Sequence, residues 1–272
     1  MICMISESDE KQIRSTKRSM KIMEALFAMD KATNKEIANQ AGLAPSTTHY
    51  HLNTLEEVGY VTKEGNKYSI SMKIFHKSHN NIRKKDIYRE GKNQVDELGE
   101  KTGELSVLMT EQNKYGYYIH EAVGENAIDF ETIGSEQHLH CNAVGKSTLA
   151  FKSEEEVNDI IDDKGLPQRT KNTVTNCKKL KKELREIRER GVAFDNEEYM
   201  EGLCCVGSPI YHENKDNSYQ VYGAIGIALP ASRATSDYFN KELPNYVREA
   251  SNITELKIKG SKVFTNTNTG TV

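Results

Sequence analysis

The stretch LAPSTTHYHLNTLEEVGYV, residues 43–61, decides the first part of the fold. Pro45 suits the first turn of a helix, because the amide hydrogen that proline lacks would be unpaired there. At about 100° per residue, one face collects the small and apolar residues, which we expect to be buried: Thr48, Leu52, Leu55 and Gly59. The polar residues lie on the opposite face and its flanks: Ser46, Thr47, His49, Tyr50, Asn53 and Glu57.

The first half of this outer face carries hydroxyl, imidazole and phenol groups. Such neutral groups can bind phosphates and base edges, and the amides at a helix start favour a phosphate. Glu56 and Glu57, at the far end, would repel a nucleic-acid backbone. We interpret the segment as a helix that enters a DNA major groove. Taken alone, the same hydroxyls could simply cap the helix.

The preceding residues predict a partner helix. Thr33 and Glu36 have the spacing of a capping box, and Gly42 suits a left-handed helix end. Two helices joined by a turn at Gly42 have the spacing of a helix-turn-helix. Apolar residues at helical spacing predict a further helix at about residues 15–29.

The following residues predict a β-hairpin. Residues 60–63 and 67–70 alternate as strands around a Gly-Asn turn. Three helices and a hairpin make a winged helix. Lys63, Lys67 and Lys73 place positive charge on or near the wing, where we expect sequence-independent contacts with phosphates.

The charge of the chain is unevenly distributed. Residues 11–85 carry 14 Lys and Arg against six Asp and Glu, a net charge of +8, whereas residues 86–272 carry −8. This separation favours different partners for the two parts, although chance clustering of solvated charge would give the same pattern. No apolar run is long enough to span a bilayer, and the first residues do not resemble a signal peptide. We therefore expect a cytoplasmic protein without a membrane partner.

A helical connector is predicted for residues 78–102, with Gly91 as its weak point. We therefore place a DNA-binding domain at 12–76, a linker helix at 77–90, a second domain at 91–258 and a disordered tail at 259–272.

The second domain mixes strands and helices. Strands are predicted at 105–110, 115–121, 127–133, 192–194, 204–210 and 219–229. Helices are predicted at about 143–152, 154–162, 176–190 and 235–250. The order of these strands and helices along the chain indicates an α+β domain with a mostly antiparallel sheet.

Three features of this domain could carry chemistry. Gly145-Lys146-Ser147 lacks the earlier glycine of a phosphate loop, since His140 stands there, so we exclude nucleotide hydrolysis. The cysteines at 141, 204 and 205 and the histidines at 138 and 140 could suggest zinc, but neighbours on a strand point to opposite faces. Buried small hydrophobic residues are the favoured interpretation, and no metal or cofactor is expected. The carboxylates of residues 195–198 could belong to a hydrolase or to a solvated turn.

Four segments together resemble the IclR family of transcriptional regulators. Residues 191–210, GVAFDNEEYMEGLCCVGSPI, resemble the family's Gly-x-x-x-Asp-x-x-Glu…Cys-Val-Ala-x-Pro-Val stretch. Residues 140–146, HCNAVGK, resemble its His-x-Thr-Ala-Leu-Gly-Lys. Residues 223–233 resemble its final strand, and residues 45–59 its recognition helix. The resemblance spans about residues 12–257.

The resemblance implies a winged helix-turn-helix, a linker helix and a GAF-like effector domain in a homodimer or homotetramer. It implies an operator as partner and a small-molecule effector, commonly an organic or aromatic acid. The implied DNA-binding residues are Ser46, Thr47, His49, Tyr50, Asn53, Lys63 and Lys67. The implied effector residues are Ala143, Val144, Gly145, Asp195, Cys205, Gly226 and Ala228. Hydroxyl-bearing positions of the family fall at Gly226 and Ala228, so the pocket here has two fewer donors.

Two alternatives remain open on the sequence. One is a regulator that binds DNA without an effector, and the other is an enzyme that uses Cys205. Repression and activation are not distinguished.

Overall fold

The structure is a computed structural model that describes residues 12–128 and 132–267, with side chains described as far as residue 261. The chain divides into two compact units, Met1–Asn81 and Ile82–Val272. Among the described residues, no helix has the length and apolar character needed to cross a membrane.

The first unit is a three-helix fold with a small sheet. Its helices are α1 (Arg14–Phe27), α2 (Asn34–Ala41) and α3 (Pro45–Glu57), and its strands are β1 (Ala32–Thr33), β2 (Val61–Glu64) and β3 (Lys67–Ile70). Helix α4 (Met72–Arg83) begins in this unit and ends in the next. The strands are antiparallel in the order β1-β3-β2. The predicted hairpin is confirmed, and β1 is an additional edge strand that was not predicted.

Local signals fix the helix boundaries. The Thr33 side chain accepts a hydrogen bond from the Glu36 amide, and the Glu36 side chain accepts one from the Thr33 amide, which completes the predicted capping box. Gly42 adopts φ 66°, ψ 37° and ends α2. Pro45 is the first residue of α3. The helices and the hairpin share one apolar core: Ile22, Met23, Ala25, Leu26, Ala32, Ile37, Leu52, Val61 and Tyr68.

The second unit is a six-stranded sheet with helices. Its strands are β4 (Leu105–Gln112), β5 (Tyr115–Val123), β6 (Glu136–Gln137), β7 (Ala193–Asn196), β8 (Leu203–Glu213) and β9 (Tyr219–Pro230). Its helices are α5 (Asp86–Thr102), α6 (Ala143–Ala150), α7 (Glu154–Lys164), α8 (Cys177–Arg190) and α9 (Leu243–Thr267), the last preceded by a π-helical turn (Tyr238–Glu242). All pairs are antiparallel, in the order β6-β5-β4-β9-β8-β7. The predicted α+β antiparallel class is confirmed.

The sheet separates two apolar cores. Residues of one face pack with α6, α7 and α8, and include Val107, Met109 and Leu149. Residues of the other face pack with α5 and α9, and include Leu108 and Ile225. Since strand neighbours alternate between faces, Leu108 and Met109 belong to different cores.

The strand predicted at 127–133 is wrong for its described residues. Ala127 and Ile128 lie outside any strand, residues 129–131 lie outside the described residues, and Thr132 is also not in a strand. The Thr132 amide donates to the Glu121 side chain rather than to a neighbouring strand. The edge of the sheet is instead occupied by β6, which pairs with Gly116 and Tyr117 of β5.

The connector breaks earlier than predicted. Helix α4 ends at Arg83, and α5 begins at Asp86 with Lys85 as its extended N-cap. Gly91, predicted as the break, is buried within α5. A Cβ there would lie 3.1 Å from Leu108 Cδ1. This glycine therefore serves close packing of α5 on the sheet.

The chain end also differs from the prediction. Helix α9 continues through residues 259–267, where the sequence predicted a disordered tail, and residues 268–272 lie outside the described residues. Ile258, immediately before the predicted tail, is fully buried in the core beside α9, so the helix is still packed at that point.

Candidate nucleic-acid interface and ligand cavity

The outer face of α3 is polar and open. The side chain of Tyr50 is 73% exposed. Ser46, His49 and Asn53 are also exposed, and Thr47 is half-buried. These five residues lie where the helical periodicity placed them, on the face opposite the buried Thr48 and Leu52.

The hydroxyl run does not cap the helix. The N-cap residue is Ala44, and no side chain caps the start of α3. The Thr48 hydroxyl donates to the Ala44 carbonyl, 3.1 Å away, on the inner side. The capping alternative is therefore wrong, and the outer hydroxyls of Ser46 and Thr47 need another explanation.

Neighbouring side chains fix the orientation of α3. His51 Nδ1 lies 2.8 Å from the Ser19 hydroxyl of α1, and the Asn34 amide donates to the Pro45 carbonyl at 3.1 Å. On the outer face, Asn53 Nδ2 and His49 Nε2 lie 3.3 Å apart. The His51 ring thus helps to hold the helix, whereas His49 and Asn53 form a polar pair that faces outward.

The wing presents two lysines. Lys63 and Lys67 are exposed on β2 and β3, and Lys63 Nζ lies 5.2 Å from the centre of the Tyr68 ring. Lys73, also predicted as a phosphate contact, has a different role. Its Nζ donates to the Val58 carbonyl at 2.6 Å, which satisfies a carbonyl at the end of α3.

A cavity lies in the second unit between α6 and the sheet. Its lining includes five of the predicted effector residues: Ala143, Val144, Cys205, Gly226 and Ala228. The wall is largely apolar, with Leu105, Val107 and Leu203. The centre of a water molecule can reach about 30 Å³ of it, which is room for about two waters.

The first two residues of α6, Ala143 and Val144, line this cavity. Asn142 Oδ1 accepts a hydrogen bond from the Gly145 amide at 2.7 Å. The amides of Ala143 and Val144 make no hydrogen bond within the described residues, as expected for the first turn of a helix. Gly145, also predicted as an effector residue, does not line the cavity, and its amide is already bonded to Asn142.

Glycines allow α6 to lie against the strands. A Cβ at Gly207 would lie 2.9 Å from the Val144 amide nitrogen. A Cβ at Gly226 would overlap the Val144 side chain. The side chain of Val144 thus occupies the space that a side chain at 226 would need.

Asp195 is a fully buried carboxyl next to a cavity residue. It pairs with Cys205, a lining residue, across β7 and β8, and it is not itself a lining residue. Its Oδ1 accepts the Glu198 amide at 2.7 Å, and its buried Oδ2 has no partner. Burial raises the pKa of this carboxyl to about 7, so the side chain is partly protonated near neutral pH.

A buried lysine holds two further carboxylates. Lys146 Nζ lies 2.6 Å from Glu183 Oε1 and 2.5 Å from Glu198 Oε1. Although burial opposes its charge, the two carboxylates raise the pKa of Lys146 overall. Residues 195–198 are therefore not the solvated turn that one alternative suggested, because Asp195 and Glu198 are buried. Their contacts tie the strand β7 to α6 and α8.

Tyr118 is a cavity residue that no sequence pattern predicted. Its side chain on β5 is 9% exposed and lines the cavity. Strand alternation would group it with Gly116 and His120, yet a register shift in the β4–β5 pairing places His120 on the other face, against Asp96 of α5. Nothing in the sequence indicated that shift or which face borders a cavity.

The cysteines and histidines are separated. Cys204 belongs to the core beside α9, whereas Cys205 borders the cavity, as the alternation predicted. His140 Nε2 lies 3.1 Å from the Pro167 carbonyl, and burial lowers the pKa of His140 to about 4. Among the residues that the structure describes, no group of three or more His, Cys, Asp or Glu is arranged to hold a metal ion.

Comparisons with known proteins account for both units. The model of the IclR helix-turn-helix domain matches residues 15–65. The model of the bacterial transcriptional regulator IclR C-terminal domain matches residues 79–254. The chain is 26% identical over 259 residues to the probable HTH-type transcriptional regulator ArcR of Halobacterium salinarum, an alignment that covers 93% of this chain and 97% of that protein.

Solved structures share the fold. The crystal structure of the Thermotoga maritima IclR matches with a TM-score of 0.74 and 27% identity, over 91% of this chain and 99% of that one. An IclR homologue from Microbacterium hydrocarbonoxydans, complexed with 4-hydroxybenzoate, matches with a TM-score of 0.74 over 90% of this chain and 99% of that one. At 17% identity, this second likeness is one of fold. The two family models together span most of the chain, and the chain therefore belongs to the IclR family of DNA-binding transcriptional regulators.

Proposed function

We propose that the protein regulates transcription as a homodimer or homotetramer on a near-palindromic operator. Two copies of α3 would occupy successive major grooves, with phosphates held by Lys63 and Lys67. The observation that carries the proposal is the outer face of α3, whose exposed neutral side chains take no part in capping or core packing. Because its partner is DNA, we place its action in the cytoplasm.

Base reading by α3 can be tested once genomic binding sites are mapped. We expect Tyr50→Ala and Thr47→Ala to weaken operator binding by about 1–3 kcal/mol while changing random-duplex binding much less. The matched control is Glu56→Ala, an exposed change at the far end of the same helix. Titrations at fixed salt would measure both duplexes, and equal losses on both would refute base reading.

The second part of the proposal is an effector in the cavity. Support comes from the two unbonded amides of Ala143 and Val144 at the cavity wall, and from the related structure that holds 4-hydroxybenzoate. A ligand can shift the relative arrangement of the DNA-binding units only as far as it binds one arrangement more tightly. A coupling of roughly 1–3 kcal/mol would suffice.

The small cavity also favours a second candidate, a regulator that acts without an effector. The cavity has room for about two water molecules, and the Val144 side chain fills the place beside Gly226. A thermal-shift screen of carboxylates separates the two candidates, because a ligand of the folded state raises the melting temperature. If no carboxylate raises the melting temperature and none changes operator binding, the second candidate is favoured.

We propose further that the protein is not an enzyme that uses Cys205. Burial raises the pKa of this thiol well above 9, and the nearby Asp195 raises it further, whereas a nucleophile must be a thiolate. Alkylation by iodoacetamide at pH 7 tests this point. Rapid labelling of Cys205 in the native protein would contradict it.

A further inference from the structure

Helices α7 and α8 carry opposite charges on the same side of the second unit. Helix α7 has six Asp and Glu against one Lys, and α8 has seven Lys and Arg against three Glu. Both helices pack apolar residues into the core that also holds α6, with Val157 and Ile160 from α7 and Leu180 and Leu184 from α8. Their outer faces therefore point away from that core, on one side of the sheet.

Each outer face bears a stripe of three like charges at the same spacing. In both helices the charged residues recur at i, i+4 and i+7, which places them within about 60° of one another and over about 10 Å of helix. The acidic stripe of α7 consists of Glu155, Asp159 and Asp162. The basic stripe of α8 consists of Lys178, Lys182 and Arg185. All of these residues are exposed.

Contacts within the chain leave these charges largely unused. Asp159 Oδ2 lies 2.9 Å from Lys114 Nζ, and the Asp159 side chain stays mostly exposed. Lys182 Nζ lies 3.6 Å from Glu186 Oε1, and the Lys182 side chain also stays mostly exposed. The other stripe residues make no ion pair among the residues that the structure describes: Glu155, Asp162, Lys178 and Arg185. Both stripes thus present their charge to the solvent.

Neither stripe stabilises its own helix. Like charges at i and i+4 repel each other and destabilise a helix slightly. A negative charge is also unfavourable near a helix C-terminus, and a positive charge near an N-terminus. Nevertheless, Asp162 lies in the last turn of α7 and Lys178 in the first turn of α8. The pattern therefore fits an external partner better than it fits local helix stability.

A second copy of this chain fits both stripes at once. Lys181 Nζ lies 3.1 Å from Glu154 Oε1 and so ties α8 to α7. A two-fold axis that runs between these helices would set α7 of each copy against α8 of the other, so that the contact occurs twice. DNA would fit only the basic stripe, and the acidic stripe beside it would repel the phosphates.

We propose that a second copy of this chain docks against α7 and α8, with the acidic stripe of each copy facing the basic stripe of the other. The inference rests on the homo-oligomer of the proposed function, and it names the surface that forms one of its contacts. Exposed ion pairs are individually weak and are screened by salt. The contact is therefore a salt-sensitive step of assembly.

Sedimentation of the full-length protein at graded salt tests the contact. From about 0.05 M to about 0.5 M salt, the distance over which charges interact falls about threefold. We expect the dissociation constant of the larger assembly to rise about tenfold or more over this range, as the assembly separates into halves. An assembly mass that does not depend on salt would contradict the contact.

Charge reversal tests the pairing of the stripes. The α8 variant reverses the basic stripe: Lys178→Glu, Lys182→Glu and Arg185→Glu. The α7 variant reverses the acidic stripe: Glu155→Lys, Asp159→Lys and Asp162→Lys. We expect each variant alone to lose the larger assembly, because like charges then face each other. A chain with both sets of changes should regain it, and so should a mixture of the two variants.

A matched control separates the stripes from net charge. It reverses three exposed lysines outside both helices and changes the net charge as much as the α8 variant does: Lys215→Glu, Lys257→Glu and Lys259→Glu. This control should assemble like the parent. Loss of the larger assembly in the control would mean that net charge, rather than the stripes, governs the association.

The outcomes separate the inference from the proposed function. Full assembly of either reversed variant would overturn the inference and leave an operator-binding regulator standing. Weaker DNA binding by the α8 variant with unchanged assembly would assign the basic stripe to DNA and would also overturn it. A parent protein that is monomeric at every salt concentration would overturn the inference and the homo-oligomer of the proposed function together. Equal binding of operator and random duplexes would contradict the DNA-binding proposal alone.

Discussion

Asp195 combines full burial with one unbonded oxygen. Titratable and charged groups surround it: Cys141, Cys204 and Cys205, Tyr118 and Tyr199, Lys146 and Glu198. Since its carboxyl keeps a proton up to about pH 7, whereas 3.8 is the ordinary pKa, the folded state binds more protons than the unfolded state between these values. The contribution of Asp195 to the free energy of unfolding is therefore fully present below about pH 4 and is lost as the pH rises to about 7.

Asp195→Asn should remove this dependence. Its Oδ1 can still accept the Glu198 amide, but the side chain no longer titrates. Between pH 5 and 7, the parent's free energy of unfolding should fall by up to about 1.4 kcal/mol per pH unit more steeply than that of the variant. Urea unfolding at several pH values would measure this. Asp162→Asn, at an exposed position of α7, is the control, and parallel pH curves for the parent and Asp195→Asn would contradict the argument.

Some site residues could be predicted from the sequence and others could not. Tyr50 and Asn53 were placed correctly because helical periodicity alone separates the faces of α3. Lys73 was misjudged because a long side chain near a helix end can turn inward to a carbonyl. Tyr118 was missed because a cavity is formed by residues distant along the chain, and no local pattern encodes it.

Helix α5 shows how a glycine can serve packing within a helix. A Cβ at Gly99 would lie 2.8 Å from Ala122 Cβ and 3.2 Å from the Ala122 carbonyl oxygen. The other α5 glycine, Gly91, is a predicted helix break on the sequence, because glycine is a weak helix former. Both glycines face the sheet, and only the tertiary contact reveals their role.

Gly99→Ala should therefore destabilise the second unit. Overpacking against a backbone carbonyl costs about 1–3 kcal/mol, which outweighs the gain in helix propensity of about 1 kcal/mol. The matched change is Gly260→Ala in α9, where a Cβ would meet nothing within 4 Å. The free energy of unfolding of that variant should rise by up to about 1 kcal/mol. Urea unfolding measures both variants, and a Gly99→Ala protein as stable as the parent would contradict the packing argument.

The two parts of the chain carry net charges of opposite sign. The +8 of residues 11–85 belongs to the part with α3 and the wing, and the −8 of residues 86–272 to the part with the cavity.

The strand order of the second unit could not be predicted from the sequence, because antiparallel pairing between β4 and β9 joins residues more than a hundred positions apart.

DNA binding by the full chain should depend steeply on salt. Each lysine that neutralises a phosphate contributes about 0.9 to the slope of log K against log salt. Lys67→Ala should therefore lower the slope by about 1 on operator and random duplexes alike. Lys171→Ala, an exposed change in the second unit, should leave it unchanged. Equal slopes for the parent and Lys67→Ala would mean that the wing does not touch the DNA backbone.

The overlap between Val144 and position 226 constrains how this regulator can diversify. A side chain at 226 requires the Val144 side chain to shift or to become smaller. We therefore expect the two positions to be epistatic. Directed evolution of this wall should recover more folded variants when 144 and 226 are randomised together than when 226 is randomised alone.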